Sequence, residues 1–265
     1  YKLGDIRRAE VVSGSQKQTV ERSAPGVLTL LEPKGYDIDG SLATALLDEL
    51  RTLRALRWVT DREAPGFGLD KPRSQVRLSV EVEGRPIERT LSLGARAPGG
   101  FYARVDRDPG VFVAPRELDR VLSTWLLDRS VFSAARDSIV ELSLDAPGLG
   151  SVVLRRVGGQ LTPQKASSAF DSSRVDELLD AIESLRCEAA VHLGPATASE
   201  GLRKPILSGE IRRQSLENLG SPPIRFSIGS RDSFRDASIH YARVGSVNAT
   251  FALPREQVQR LLDFL

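Results

Sequence analysis

The chain has 265 residues, of which 40% are hydrophobic and 27% are charged, and its formal net charge is only +2. The length suggests one or two domains, and the near balance of charges argues against a nucleic-acid-binding protein, which would carry a basic face. The single cysteine, Cys187, excludes an internal disulfide, and the sequence has no apolar run of about 20 residues that could span a membrane.

The first half of the chain is predicted to contain six strands and two helices. Alternating apolar and polar residues indicate two initial strands, Ile6–Val12 and Thr19–Leu31. A helix follows, which Asp39 or Ser41 can cap, and its apolar face consists of Leu42, Leu46, Leu50 and Leu53. The remaining elements are strands at Gln75–Val82, Arg89–Gly94, Phe101–Val105 and Gly110–Val113, and a helix that begins at Pro115.

The second half shows a similar pattern. Its elements are strands at Ile139–Leu144 and Ser151–Arg156, a helix capped by Asp171 or Ser172, strands at Ile224–Gly229, Ser238–Val244 and Ala249–Leu253, and a closing helix that begins at Pro254. Gly148-Leu149-Gly150 is interpreted as part of a hairpin turn. The segment Gly209–Leu219 is predicted to be a looser or partly helical replacement for a strand.

Both halves share short sequence blocks in the same order. Tyr102-Ala103-Arg104-Val105 returns 139 residues later as Tyr241-Ala242-Arg243-Val244. Gly68-Leu69-Asp70-Lys71-Pro72 returns 133 residues later as Gly201-Leu202-Arg203-Lys204-Pro205. This period is far longer than that of solenoid repeats and indicates a duplicated domain. We therefore predict an α+β fold of two copies, residues 1–133 and residues 134–265, each a mostly antiparallel sheet with two helices in the order β-β-α-β-β-β-β-α.

The blocks of the first copy resemble a known family. They are Gly68-Leu69-Asp70-Lys71-Pro72, Leu91-Ser92-Leu93-Gly94, Phe101-Tyr102-Ala103-Arg104-Val105 and Val111-Phe112-Val113, followed by an amphipathic helix. In this order they are similar to a bacterial family of unknown function, DUF family 4340, which is encoded beside gliding-motility-type ABC transporters. The resemblance covers nearly all of the first copy and, more weakly, the second. It implies an extracytoplasmic protein that is held by an N-terminal transmembrane helix and acts with an ABC permease, and it brings no catalytic residues.

The repeated Tyr-x-Arg pair is the candidate contact site. Tyr102 and Arg104, like Tyr241 and Arg243, are two residues apart on a predicted strand and therefore share its more polar face. Tyrosine and arginine are common anchors of protein interfaces, so one interpretation is a duplicated patch that contacts a partner. The other interpretation, which we favour, is structural: each pair stacks or tethers a neighbouring loop.

No catalytic residue, cofactor site or metal site is predicted. The two histidines, His192 and His240, are not near a carboxylate or a cysteine at metal-ligand spacing, and Cys187 is interpreted as a small buried residue. Gly94 and Gly229 are interpreted as turn residues at strand ends.

One loop differs in charge between the copies. Asp106-Arg107-Asp108-Pro109-Gly110 is interpreted as a turn between two strands. Its counterpart, Gly245-Ser246-Val247-Asn248, carries no acid, which argues against a duplicated cation site.

The leading hypothesis is a non-enzymatic binding or scaffold module of an ABC-transporter-associated membrane protein. The chain begins at Tyr1 and contains no methionine, so we expect that a signal or anchor segment precedes it. The expected location is the periplasmic face of the bacterial inner membrane, with a membrane protein of the transporter assembly as partner. The alternatives are a small-molecule or glycan binding or processing domain that uses the cleft between the copies, and a plain structural spacer.

Overall fold

A computed structural model describes residues 5–62, 65–82, 85–106, 108–167, 170–214 and 222–265. The chain divides into two compact units, Tyr1–Asp128 and Arg129–Leu265. Each unit contains one eight-stranded sheet, and every pair of neighbouring strands is antiparallel. The α+β class with mostly antiparallel strands is therefore confirmed.

The first unit is a sheet with two helices packed on one face. Its strands are β1 (Asp5–Ser13), β2 (Gln16–Ala24), β3 (Val27–Glu32), β4 (Arg57–Thr60), β5 (Ser74–Val82), β6 (Arg85–Ala97), β7 (Gly100–Val105) and β8 (Val111–Pro115). They are arranged in the order β3-β2-β1-β5-β6-β7-β8-β4. The helices are α1 (Gly40–Arg51) and α2 (Arg116–Leu122).

Helix α1 begins where the sequence predicts. The Asp39 carboxylate accepts hydrogen bonds from the backbone amides of Ser41 and Leu42, at 3.0 and 3.1 Å, so Asp39 and not Ser41 caps the helix. Leu46 and Leu50 are fully buried and join the sheet residues of β1, β5 and β6 in one core. The helix is stabilised because the sheet covers this apolar stripe and removes it from water.

The second unit has the same strand order. Its strands are β9 (Ile139–Ala146), β10 (Gly150–Val157), β11 (Gln160–Ala166), β12 (Ala189–Leu193), β13 (Leu207–Arg213), β14 (Ile224–Phe234), β15 (Ala237–Val244) and β16 (Ala249–Pro254). They are arranged as β11-β10-β9-β13-β14-β15-β16-β12. The helices are α3 (Val175–Glu183) and α4 (Arg255–Leu262). Phe132 packs edge-on against Phe226 and Phe251, so the chain has entered the second unit by this residue.

The predicted element string β-β-α-β-β-β-β-α needs correction, because each unit has eight strands. The predicted strand Thr19–Leu31 is a hairpin, β2 and β3, that turns at Gly26, where φ is +77°. A matching third strand, β11, follows the turn at Gly158 and Gly159. The edge strands β4 and β12 are also absent from the predicted string, because strands of four or five residues carry too little alternation to detect.

Two further predictions are changed by the structure, and the predicted turns are found. The segment that begins at Gly209 is not loose or helical up to Arg213, because it forms β13 between β9 and β14; its continuation at residues 215–219 lies outside the described residues. Pro115 and Pro254 precede α2 and α4 as N-cap residues and do not occupy the first helical position. The turns at Gly148 and at Asp106–Gly110 are present between strands, although Arg107 also lies outside the described residues.

Gly94 and Gly229 do not form turns. Both lie inside long strands, β6 and β14, at a break in the pairing register. A Cβ atom at Gly94 would lie 2.1 Å from the carbonyl oxygen of Phe67, and one at Gly229 would lie 2.0 Å from that of Glu200. The glycines are therefore needed because another stretch of backbone crosses the strand at this point.

Candidate functional site

The backbone that crosses Gly229 places a carboxylate inside the second unit. A single 3-10 turn, Ala198–Glu200, is capped by Thr197, whose amide donates to the Glu200 carboxylate at 3.1 Å. The chain then reverses at Gly201, where φ is +69°. Glu200 consequently points inward, and the residue is only 3% exposed.

Two strands at the edge of the sheet supply the partners of Glu200. His192 of β12 places Nε2 at 2.5 Å from Glu200 Oε1, and Thr250 of β16 donates its hydroxyl to Oε2 at 3.0 Å. His192 and Thr250 are direct neighbours in the pairing of these strands. Both ring nitrogens of His192 face oxygen acceptors, since Nδ1 lies 3.1 Å from the Leu193 carbonyl oxygen.

The network keeps Glu200 ionised. Burial raises the pKa of this carboxyl, but hydrogen bonds from His192, Thr197 and Thr250 outweigh that effect, and its pKa is lowered from 4.5. A buried charge is costly unless it is paired and hydrogen-bonded, and here each carboxylate oxygen has a partner.

The first unit has uncharged residues at the same positions. Phe67, which crosses Gly94 as Glu200 crosses Gly229, lies with its ring centroid 4.7 Å from that of Tyr102. Thr60 and Val111 are paired in β4 and β8 where His192 and Thr250 are paired in β12 and β16. The second unit therefore carries a charged network at a place where the first unit has the same fold without a charged residue.

Arg243 extends the network towards the surface. Its guanidinium donates to the Gly194 carbonyl oxygen at 2.8 Å, to the Thr250 hydroxyl at 3.0 Å and to the Asn248 side-chain oxygen at 2.8 Å. These three acceptors are neutral, so they orient the guanidinium without cancelling its charge. Through Gly194 and Asn248, Arg243 tethers two neighbouring loops to β15. This is the structural role that the sequence pattern favours for the Tyr-x-Arg pair.

The two tyrosines of the repeated pairs have different surroundings. Tyr102 contacts Phe67, whereas the Tyr241 hydroxyl donates to Asp232 Oδ2 at 2.6 Å. This hydrogen bond, together with burial, raises the pKa of Tyr241 to about 12. Tyr102, Arg104, Tyr241 and Arg243 are all half-buried, opposite the fully buried Ala103 and Ala242. The proposed role of the four residues as partner contacts stays a prediction.

His192 contacts a carboxylate that metal-ligand spacing in the sequence does not single out. Glu200 is only eight residues away in sequence, but the contact depends on the crossing at Gly229 and does not appear as a spacing motif. The one signal in the sequence is the exchange of Phe67 for Glu200 beside the repeated Gly-Leu block. His240 contacts a backbone carbonyl, that of Gly229, at 3.1 Å. Cys187 is buried, as predicted.

The His192–Glu200–Thr250 network is not arranged for nucleophilic catalysis. The Thr250 hydroxyl donates to Glu200 and to no histidine nitrogen, and Thr250 is fully buried. A catalytic triad needs the hydroxyl next to the imidazole. The arrangement is instead suited to holding Arg243 and the adjoining loops in place.

A surface cavity of about 560 Å³ adjoins this network. Thr197, Arg243 and Asn248 line it and also belong to the network, and Arg203 and Arg225 line it from neighbouring segments. The volume is within the range of small-molecule sites, roughly 300–1,000 Å³.

Comparisons with known proteins identify the family and nothing beyond it. Neither the curated proteins nor the solved structures gave a match to the chain. The family model described as "Domain of unknown function (DUF4340)" matches residues 29–205, which is more than half of the chain. The match runs from β3 to the repeated Gly-Leu-x-Lys-Pro block of the second unit. The chain therefore belongs to the DUF4340 family.

Proposed function

We propose that this chain is a non-enzymatic binding module at the periplasmic face of a bacterial inner membrane, where it contributes surface to an ABC-transporter-associated assembly. We also propose that its two units arose by tandem duplication, which the common strand order and the repeated sequence blocks support. The observation that carries the binding role is a charged surface that both sheets present opposite their helices. We call this surface the charged face, and its residues are Arg8, Glu10, Glu21 and Arg77 in the first unit and Glu141, Arg155, Glu210, Arg212 and Arg225 in the second.

In the first unit, the charged face crosses three neighbouring strands. Arg8 of β1 approaches Glu10 at 2.8 Å and Glu21 of β2 at 3.9 Å, and Arg77 of β5 approaches Glu10 at 3.7 Å. Because side chains alternate along a strand, these residues point away from the core residues Ala9 and Val11.

In the second unit, the charged face crosses four strands. Arg155 of β10 and Arg212 of β13 approach Glu141 of β9, at 2.9 and 3.7 Å. Glu210 of β13 accepts from Arg212 and from Arg225 of β14, both at 2.8 Å. Three of these strands, β10, β9 and β13, are the counterparts of β2, β1 and β5 in the first unit.

Stability alone does not account for these residues. Exposed ion pairs contribute only about 0–1 kcal/mol each, and the arginine side chains are largely exposed, up to 66% at Arg225. Arginine is enriched in protein interfaces, where its planar group reaches carboxylates on a partner. A partner that carries a complementary pattern of charges fits such a surface.

The test is co-purification of the full-length protein with the ABC permease that this proposal gives it as a partner. The double variant Arg77→Glu, Arg225→Glu reverses one charge on the charged face of each unit, and we expect recovery of the permease to fall about tenfold or more, since like charges at an interface cost several kcal/mol. Arg51→Glu, at an exposed position at the end of α1, is the matched control and should leave recovery unchanged.

The proposal is contradicted if the wild-type protein recovers no permease, or if the double variant and the control behave alike. Turnover of a substrate by the purified protein would also contradict it. The alternative of a small-molecule-binding domain is favoured by one specific observation, the cavity beside Arg243 in the second unit.

A further inference from the structure

We propose that the second unit binds a small ligand through a carboxylate or phosphate group, in the cavity between the Gly245–Asn248 loop and the residues that precede Lys204. This site lies within the second unit and shares one lining residue, Arg225, with the charged face.

The lining of the cavity is positively charged. Arg203, Arg225 and Arg243 contribute three guanidinium groups, and no aspartate or glutamate is among the lining residues that the structure describes. The hydroxyls of Thr197, Ser227 and Ser246 add neutral donors. Guanidinium groups bind carboxylates and phosphates through paired N–H donors, so this lining suits an oxyanion.

The three arginines differ in the partners that their guanidinium groups already have, and therefore in how available each group is to a ligand. Arg203 is exposed and has no ion-pair partner within the described part of the chain. Arg243 is held by three neutral acceptors and has no direct ion pair among the described residues, although Thr250 links it to the Glu200 carboxylate. Arg225 is shared with Glu210, at 2.8 Å. Arg203 and Arg243 are therefore the main anion-binding groups.

Glu200 acts as a positioning residue for this site. It accepts from Thr250, whose oxygen in turn accepts from Arg243, and it also accepts from the amide of Thr197 at the cavity edge. A guanidinium fixed in this way loses less conformational freedom when it binds a ligand. Burial of a charged Glu200 is costly, and its role in positioning Arg243 for a ligand explains why the second unit has it. The first unit has no charged residue at this place and needs no such explanation.

The first unit carries the opposite charge at the matching loop. Asp106 and Asp108 occupy the positions of Gly245 and Val247 in the repeat. The Asp106 carboxylate lies 3.3 Å from Arg89 and accepts from the Thr90 amide at 2.7 Å. Two acids in this loop would repel an anion, whereas the matching loop of the second unit has none. The unit whose loop has no acid is therefore also the unit that has the Glu200 network.

The experiment is calorimetric titration of the full chain with two probes, inorganic phosphate and citrate, at constant ionic strength. We expect saturable binding of one equivalent of at least one probe, and the preferred probe distinguishes a phosphate-bearing from a carboxylate-bearing ligand. Arg203→Gln and Arg243→Gln should each weaken binding by about tenfold or more, because a hydrogen bond to a charged group is lost. Arg104→Gln, at the repeat position in the first unit, should bind like the wild type.

Ser246→Asp provides a variant that does not disturb the buried network. It introduces an acid into the loop, and we expect it to abolish binding while the melting temperature stays close to that of the wild type. The proposal is overturned if neither probe binds saturably, if Arg203→Gln and Ser246→Asp bind like the wild type, or if Arg104→Gln loses binding to the same extent. None of these results depends on recovery of a membrane partner, so the site and the proposed function can fail separately.

Discussion

Among the single residues, Glu200 is a buried carboxylate of the second unit, and the residue is only 3% exposed. Glu200 is surrounded by donors from three separate segments, at Thr197, His192 and Thr250. Removal of the negative charge leaves these groups facing a weaker acceptor, and the cost of unsatisfied buried groups is about 1–3 kcal/mol.

We expect Glu200→Gln to lower the stability of the second unit at pH 7 and to flatten its acid dependence. Because the pKa of Glu200 is lowered from 4.5 in the folded state, its stabilising contribution is present above about pH 4.5 and is lost as the pH falls through the folded-state value. Thermal unfolding followed between pH 7 and pH 3 measures this. Glu177→Gln, on the exposed face of α3, is the control; equal pH profiles for the wild type and Glu200→Gln would contradict the prediction.

Tyr241 gives a second prediction for a single residue. Its pKa is raised to about 12 by the hydrogen bond to Asp232 and by burial, so the folded state holds this proton more tightly than the unfolded chain. The corresponding stability is present below about pH 10 and is lost as the pH rises towards 12. The measurement is an ultraviolet absorbance titration of the wild type and of Tyr241→Phe; the difference between the two curves gives the ionisation of the Tyr241 phenol.

Asp232→Asn should move the Tyr241 transition back towards pH 10, because the accepting charge is removed. Asp236→Asn, which changes a nearby acid that is not bonded to Tyr241, is the control. A wild-type phenol that ionises at its ordinary value would show that the Tyr241–Asp232 hydrogen bond does not form in solution.

Among the elements, the crossing of a loop over a strand is the feature that the two units share most closely. Gly68 and Gly201 turn the chain with φ of +68° and +69°, and the preceding residue passes over Gly94 or Gly229. The repeated Gly-Leu block and the repeated strand glycine are therefore two halves of one contact.

We expect Gly94→Ala and Gly229→Ala each to destabilise its own unit by about 1–3 kcal/mol, because the added Cβ would overlap a carbonyl oxygen of the crossing segment. Chemical denaturation of the two variants measures the loss. Gly40→Ala is the control: nothing lies within 4 Å of its added Cβ, and alanine favours the helix that begins there. Wild-type stability in both strand variants would contradict the close crossing.

In the molecule as a whole, each unit has its own core and its own complete sheet. We expect a fragment that ends at Asp128 and a fragment that begins at Arg129 each to fold alone and to unfold cooperatively. Circular dichroism during thermal unfolding is the measurement. A fragment that ends at Leu91, which cuts the first sheet within β6, is the control and should remain unfolded. Failure of both unit-sized fragments to fold would contradict their independence.

Much of the fold can be predicted from the sequence. Helices α1 and α3 and strands such as β9 are amphipathic over several residues, and their pattern is local, so the start of α1 near Asp39 and the inward positions of Leu46 and Leu50 follow from the order of residues alone. The edge strands β4 and β12 cannot be assigned in this way, because their identity depends on pairing with β8 and β16, which lie far away in sequence.

Some features of the candidate site can also be predicted from the sequence, and others depend on the tertiary structure. The order and composition of residues along the chain are sufficient to predict the repeated blocks, the α+β class and the absence of acids from the Gly245–Asn248 loop. Three other features depend on tertiary folding: Glu200 meets His192 and Thr250, Arg243 is fixed beside a cavity, and Gly229 is a crossing point and not a turn. These three features cannot be predicted from local sequence patterns, because their hydrogen bonds and backbone crossings join segments that only the folded sheet brings together.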